Sequence, residues 1–303
     1  MAYQLRPRSS VSAQVRKAAC DRLEAAIDAL AVPPMDMGEG IHQARKRIKE
    51  LRALLRLVRT PLGATFELEN QRLRDIARDL SESRDATAML ESWDLLARHV
   101  GQPFDSEAMG QVRRRLQARA DTGEASSAGL GVVISGVQAR LLEALHAVQG
   151  WSLNGKGFDL LADGLYRAYK AGGRELAKLT ETPDDEGFHE WRKRVKDHWY
   201  QCRLLSPIWP GLMELRCESL KQLAEALGDE HDLYMMQLAL AREPALFGDE
   251  ANRAILAPLI EQRRQALRDS AMALGQPLYA EPPKALVERF RNYWKDARKH
   301  RPL

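Results

Sequence analysis

His42-Gln43-Ala44-Arg45-Lys46-Arg47-Ile48-Lys49-Glu50-Leu51-Arg52 is the stretch that decides how this chain folds. Wound as a helix, it places His42, Arg45, Lys49, Arg52, Arg56 and Arg59 at steps of three and four, so they form one continuous stripe. Ile41, Ala44, Ile48, Leu51, Leu55 and Val58 follow the same steps one position earlier. The helix therefore buries one flank and presents cations on the next. Between His42 and Arg59 there are seven bases and a single acid, Glu50. A solvated helix mixes the two signs at i,i+4 spacing, so an unmixed face implies repulsion that an anionic partner would relieve. From His42 to Arg56 the stripe runs about 21 Å at 1.5 Å per residue, too long for one phosphate and suited to a chain-like polyanion.

The pattern returns. Residues Ile41 to Leu90 align without a gap onto Phe188 to Gln237 at a constant offset of 147, with 14 identities over fifty positions. His42/His189, Arg45/Arg192, Lys46/Lys193, Arg47/Arg194, Lys49/Lys196, Arg56/Arg203, Leu80/Leu227 and Asp85/Asp232 are among them. In the second copy Phe188, Trp191, Val195, Cys202 and Leu205 form the apolar stripe; His189, Arg192, Lys196 and Arg203 form the basic one, with Trp199 in place of Arg52. A duplicated helical unit is the economical account, with repeats over 9–150 and 157–303 joined near Trp151 to Gly157. A period this long makes each half a bundle instead of a turn of a solenoid.

The rest of the 303 residues agrees with helix. Ala, Leu, Arg, Glu and Gln dominate, and strand-like alternation is rare. Pro and Gly punctuation at Pro33-Pro34, Thr60-Pro61, Gly101 to Pro103, Thr122-Gly123, Gly150 to Gly157, Pro183, Pro207 to Gly211, Pro244 and Glu281 to Pro283 predicts about ten amphipathic helices, the first capped near Ser9-Ser10. The class is all-α. With 45% apolar residues a substantial core is expected, and 46 Lys and Arg against 42 Asp and Glu give a net charge of only +4, so the position of the cations matters more than their sum. Three cysteines, Cys20, Cys202 and Cys217, without CxxC spacing argue against a disulfide framework or a thiolate zinc site and fit a reducing, cytoplasmic compartment. Neither an apolar run of membrane-spanning length nor a signal peptide is read, so no membrane association is expected.

Taken together, the two histidine motifs, His42 to Arg52 and His189 to Lys196, with Leu80-Ser81-Glu82-Ser83-Arg84-Asp85 and Leu227-Gly228-Asp229-Glu230-His231-Asp232, resemble the CHAD domain, the conserved-histidine α-helical domain. The similarity extends from the Val11 helix to the helix near Trp294, as in a stand-alone member without the β-rich triphosphate-tunnel domain that often accompanies the family. It implies two pseudo-symmetric helical bundles around a basic cavity that binds inorganic polyphosphate, often at polyphosphate granules. Carried over by position, it implies that His42, Arg45, Lys49, Arg52, His189, Arg192 and Lys196 line that cavity. Lys46, Arg56, Lys193 and Arg203 complete the candidate set. His198-Trp199-Tyr200 stands where the family usually has Leu-Arg-Tyr, and Glu50 replaces a common second base, so a weaker grip by the second half is expected.

Gly150 to Lys156 matches GxxxxGK, but Gly157 replaces the required Ser or Thr and the preceding segment is helical, so it is a repeat linker. His231-Asp232 is expected to open a helical stretch after Gly228-Asp229, with Asp85 and Asp232 as capping or buried polar residues. The basic tail from Arg289 to Arg301 is set apart from the bundle by Pro282-Pro283 and is expected to be an accessory phosphate contact or a solvated helix. No HExxH or paired-His spacing supports a metal site, and no cofactor is implied. The expectation is a non-catalytic polyphosphate binder. An enzyme acting on polyphosphate or organic phosphates is the alternative; it needs acids for Mg²⁺ converging on the stripes, and none is read there. A single-stranded nucleic-acid binder is disfavoured because the first stripe lacks interleaved aromatics, although Trp191, Trp199 and Tyr200 flank the second. Arg and Lys are expected to stay charged between pH 6 and 8, leaving His42 and His189 to set any pH dependence of binding.

Overall fold

Ser10 opens the first helix: its hydroxyl accepts from the Ala13 amide at 3.4 Å and caps α1 (Val11–Ala29). The computed structural model describes residues 3–33, 37–80, 85–125 and 127–300. The order continues α2 (Met37–Leu57), α3 (Arg59–Leu62), α4 (Ala64–Asp79), α5 (Asp85–Val100), α6 (Glu107–Ala125), α7 (Ser127–Gln149), α8 (Asp159–Glu181), α9 (Asp185–Leu205), α10 (Pro210–Arg242), α11 (Glu250–Leu278) and α12 (Pro283–Lys299). Short 3₁₀ turns lie at Gln102–Asp105, Ser206–Ile208 and Pro244–Phe247, and no strand occurs among the described residues. The fold is all-α, as the periodicity predicts.

At the offset that aligns the histidine motifs, the elements also align: α1 falls on α8, α2 on α9, α3 on the 206–208 turn, α4 and α5 on the two halves of α10, α6 on α11 and α7 on α12. In each half the stripe-bearing helix lies between the helix before it and the one that follows the turn.

Three apolar clusters hold the chain. The largest joins α1, α2, α4 and α7 to residues of α8, α9 and α12, among them Leu23, Ile48, Leu54, Leu141, Leu165, Leu204 and Phe290. The second packs Trp93 of α5 and Val112 and Leu116 of α6 onto Leu233 and Met236 of α10 and Leu256 and Ile260 of α11. The third gathers Leu176, Trp191, Val195, Leu223, Leu227 and Ala271 from α8 to α11. The halves thus share their cores: α5 and α6 lie on α10 and α11 of the other half. At the joint between halves α8 crosses α2 so closely that a Cβ on Gly164 would stand 2.0 Å from the Leu57 carbonyl oxygen. Only a glycine fits there.

Three sequence expectations are corrected. His231-Asp232 does not open a helix, because α10 runs unbroken for 33 residues through Gly228 and Asp232 sits mid-helix, where no capping role exists. A glycine inside a helix costs about 1 kcal/mol, and the buried Leu220, Leu223, Leu227, Leu233 and Met236 of α10 outweigh it. The Asp85 side chain and Arg84 lie outside the described residues. The C-terminal segment is no detached tail: Pro283 starts α12, and Leu286, Phe290 and Trp294 are buried in the largest core. Finally, Gly129–Gln149 within α7 is long and apolar enough, by length and composition, to cross a membrane. Ile134, Val137, Leu141, Ala144 and Val148 of that segment pack in the core, while Val132, Val133 and Leu142 are exposed.

Candidate functional site

Helix α9 is started by Asp184, whose carboxylate accepts from the Gly187 amide at 2.6 Å, and its buried Phe188, Trp191 and Val195 fix its rotation. Ile41, Ala44, Ile48 and Leu51 do the same for α2. The two helices meet through two ion pairs, Arg56 Nη1 to Asp197 Oδ1 at 2.7 Å and Arg203 Nη1 to Glu50 Oε1 at 3.1 Å. Arg56 and Arg203 occupy the same register at the 147-residue offset, as do Glu50 and Asp197, so each helix gives its arginine to the other's acid.

Lys49 and Lys196, again at equivalent positions, are electrostatic neighbours across that crossing. Burial first, and then the charges of Arg192 and Lys49, push the Lys196 ammonium down to about 7, with Asp232 and Asp229 of α10 acting in the opposite sense. Burial likewise lowers Arg192. Arg52 is pushed down to about 10 by burial and by Arg56, Arg74 and Arg194, and remains charged at neutral pH. Its Nε donates to Asn70 Oδ1 at 3.3 Å, and Arg45 Nη1 donates to the Ala77 carbonyl at 3.0 Å, so α4 braces the first stripe from behind. Burial raises Asp197 and its three arginine neighbours, Arg56, Arg194 and Arg52, pull it back.

The second stripe is closed by α10. The His189 and His231 rings lie with centroids 4.4 Å apart. Burial, Lys193 and Arg192 hold His189 below the ordinary imidazole range, and burial with Arg192 and His189 pushes His231 down to about 3. Both rings are neutral at pH 7. His189 Nδ1 is a buried nitrogen with no hydrogen-bond partner among the described residues, and so is Arg192 Nε. The Arg192 Nε–H is a buried donor of the kind that suits an anionic oxygen, and His189 Nδ1 is another in the tautomer that carries its proton there.

The structure gathers Lys49, Arg52, Arg56 and Lys196 around the crossing, with Arg192 one turn from Lys196 on α9 and His189 further up the same helix, against His231. His42 and Arg45 sit further up α2, both half-buried. Lys46 and Lys193 lie a quarter turn away from the stripes, and exposed Lys193 gives its ammonium to Glu190 at 2.5 Å. Arg203 is held by fully buried Glu50, which also binds Arg22 at 3.0 Å and Arg47 at 3.2 Å. Two expectations change here. The cations are not uncompensated, since acids on neighbouring helices answer some of them; Asp229 and Asp232 of α10 also act on Arg192 and Lys196, so acids do converge on the stripes. Lys196, moreover, titrates near neutrality, so histidines are not the sole source of pH dependence. Asp197 was legible as the repeat mate of Glu50. Asn70 and Arg74 had no signal of their own, and Asp229 stood inside the Leu227 to Asp232 motif without a role being read for it.

A family model described as the CHAD domain matches residues 14–241. The chain belongs to the CHAD-domain family. Two solved structures are similar to this CHAD chain in fold. PptA from Streptomyces chartreusis superposes with a TM-score of 0.61 at 16% identity, covering 90% of this chain and 100% of its own. The CHAD domain from the plant Ricinus communis gives a TM-score of 0.55 at 18% identity, covering 97% and 95%. No curated protein matches this CHAD chain.

Proposed function

We propose that this CHAD domain binds inorganic polyphosphate in the groove where α2 and α9 cross, and holds it without turning it over. The observation that carries the proposal is the meeting of two like-charged stripes at Lys49, Arg52, Arg192 and Lys196, where burial disfavours the charge of Arg52, Arg192 and Lys196. A linear polyanion would supply closely spaced negative oxygens to both stripes and relieve the repulsion between them. The matched register of the elements supports two helical repeats, 9–150 and 157–303, with the groove between them. A cytoplasmic protein associated with polyphosphate granules, with no cofactor and no nucleic-acid partner, belongs to the same proposal.

Titration with polyphosphate over a range of salt concentrations tests it. Affinity should fall linearly on a log-log plot with a slope reporting several phosphates. The Lys49→Ala, Arg192→Ala double variant should weaken binding by about tenfold or more and flatten that slope, because charge-assisted contacts are lost. Lys295→Ala, at an exposed position of α12, should leave both unchanged. A slope near zero, or equal losses from all these changes, would remove the groove from consideration. In cells, wild-type protein should colocalise with polyphosphate granules and the double variant should not.

Asp229 and Asp232 beside the cations favour a second reading, an enzyme acting on polyphosphate. Phosphate release with added Mg²⁺ that disappears in Asp229→Asn or Asp232→Asn would establish it. Among the described residues no group of three or more His, Cys, Asp or Glu is arranged to hold a metal ion.

A further inference from the structure

Beyond the crossing, a cavity of about 900 Å³ opens between the segment Tyr3–Ser9, the end of α9, the 206–208 turn and the start of α10. The segment is clamped in place. Leu5 N donates to the Leu204 carbonyl at 2.7 Å, the Gln14 side chain accepts from Arg6 N at 2.7 Å and donates to Arg6 O at 2.9 Å, and the Tyr3 hydroxyl donates to the Glu50 carbonyl. Leu5 and Pro7 are buried while Arg6 and Arg8 face outward onto the cavity. Arg203 enters it from α9, about 10 Å along the helix from Lys196 at 1.5 Å per residue. These three arginines face one acid in the lining, Glu214, and hydroxyls from Ser9 and Ser206 stand among them. The charge below is also positive, since Glu50 is shared by Arg22, Arg47 and Arg203.

The volume lies near the upper end of the roughly 300–1,000 Å³ typical of small-molecule sites, well above what a bare phosphate ion needs. Pro7, Pro207, Pro210 and the Tyr3 ring line the remainder and suit an organic group. The Cys217 thiol in the wall is not a thiolate: burial pushes it up to about 12. We propose that this cavity is a second anion site, separate from the polyphosphate groove, that binds a small organic phosphate carrying two or three phosphoryl groups on Arg6, Arg8 and Arg203.

ATP is the probe, measured by calorimetry at fixed salt and compared with inorganic tripolyphosphate. One ATP site is expected, and the Arg6→Gln, Arg8→Gln double variant should weaken it by about tenfold or more, as two charge-assisted contacts are lost. Both side chains are exposed, so the melting temperature without ligand should not change. The Lys49→Ala, Arg192→Ala variant should keep its ATP affinity, and in that background tripolyphosphate should bind several-fold more weakly than ATP. No ATP binding at millimolar concentration, ATP binding indifferent to the Arg6 and Arg8 changes, or ATP binding lost with the groove variant would overturn the second site. Equal affinity for tripolyphosphate and ATP would overturn its organic character. Polyphosphate binding that fails while the ATP site survives would count against the groove alone.

Discussion

Lys196 is a neutral-pH titrator among permanent charges, facing Arg192 on its own helix, Lys49 from α2 and Asp229 and Asp232 from α10. A bound polyanion would restore its proton. At pH 8 binding should therefore take up close to one proton, read from calorimetry in buffers of different ionisation enthalpy, and affinity should tighten as pH falls toward 6. Lys196→Arg should bind with little pH dependence; uptake that persists unchanged in that variant would place the proton on the histidines. The empty protein should respond in the opposite direction. An unfolded lysine titrates near 10.4 and the folded one at about 7, so between these values the unfolded chain holds more protons and stability rises with pH. Lys196→Met should accordingly raise the melting temperature most at pH 6.5 and least near pH 10. Glu50 behaves differently because three arginines depend on it: Glu50→Gln should cost about 3–5 kcal/mol in denaturant unfolding, the usual effect of orphaning buried charge. A loss below about 1 kcal/mol would show that the arginines reach water instead.

At the scale of helices, the close crossing of α8 over α2 should be the least tolerant joint. Gly164→Ala must push α8 off the Leu57 carbonyl, and a backbone neighbour cannot rotate away as a side chain can; about 1–3 kcal/mol or more should be lost. A neutral outcome would mean that α8 slides freely on α2. The helix pair that carries the candidate site was legible in the sequence because two periodicities, apolar and basic, run side by side from Ile41 and return from Phe188. Register supplied more than composition: the reciprocal pairing of Arg56 with Asp197 and Arg203 with Glu50 follows from positions that the repeat had already matched. Helix ends were harder to read. Gly228 reads locally as a break, and only the apolar neighbours that α10 meets in the folded chain hold it helical. Proximity of Asp229 and His231 to the second stripe has the same origin, since it depends on how α10 packs over α9 and not on any local pattern.

Across the whole molecule, α10 belongs to every core: Met213 and Leu220 enter the largest cluster, Leu223, Ala224 and Leu227 the third, and Leu233 and Met236 the second. At 33 residues it is a rod of about 50 Å. The corresponding stretch of the first half is carried by two helices, α4 and α5, which serve different clusters. No cluster can come apart while its α10 residues stay in place, so the three should melt as one cooperative unit and not as two independent halves. Calorimetric and van't Hoff enthalpies should agree, and a second transition would separate the halves. In native-state hydrogen exchange the amides around Leu220 to Leu233 should be the slowest in the chain, opening only with global unfolding. Because Asp229, His231 and Asp232 lie on the same rod, an anion seated beside them should lengthen exchange times far from the groove, in α5 and α6, through the shared free energy of opening and without any change of shape.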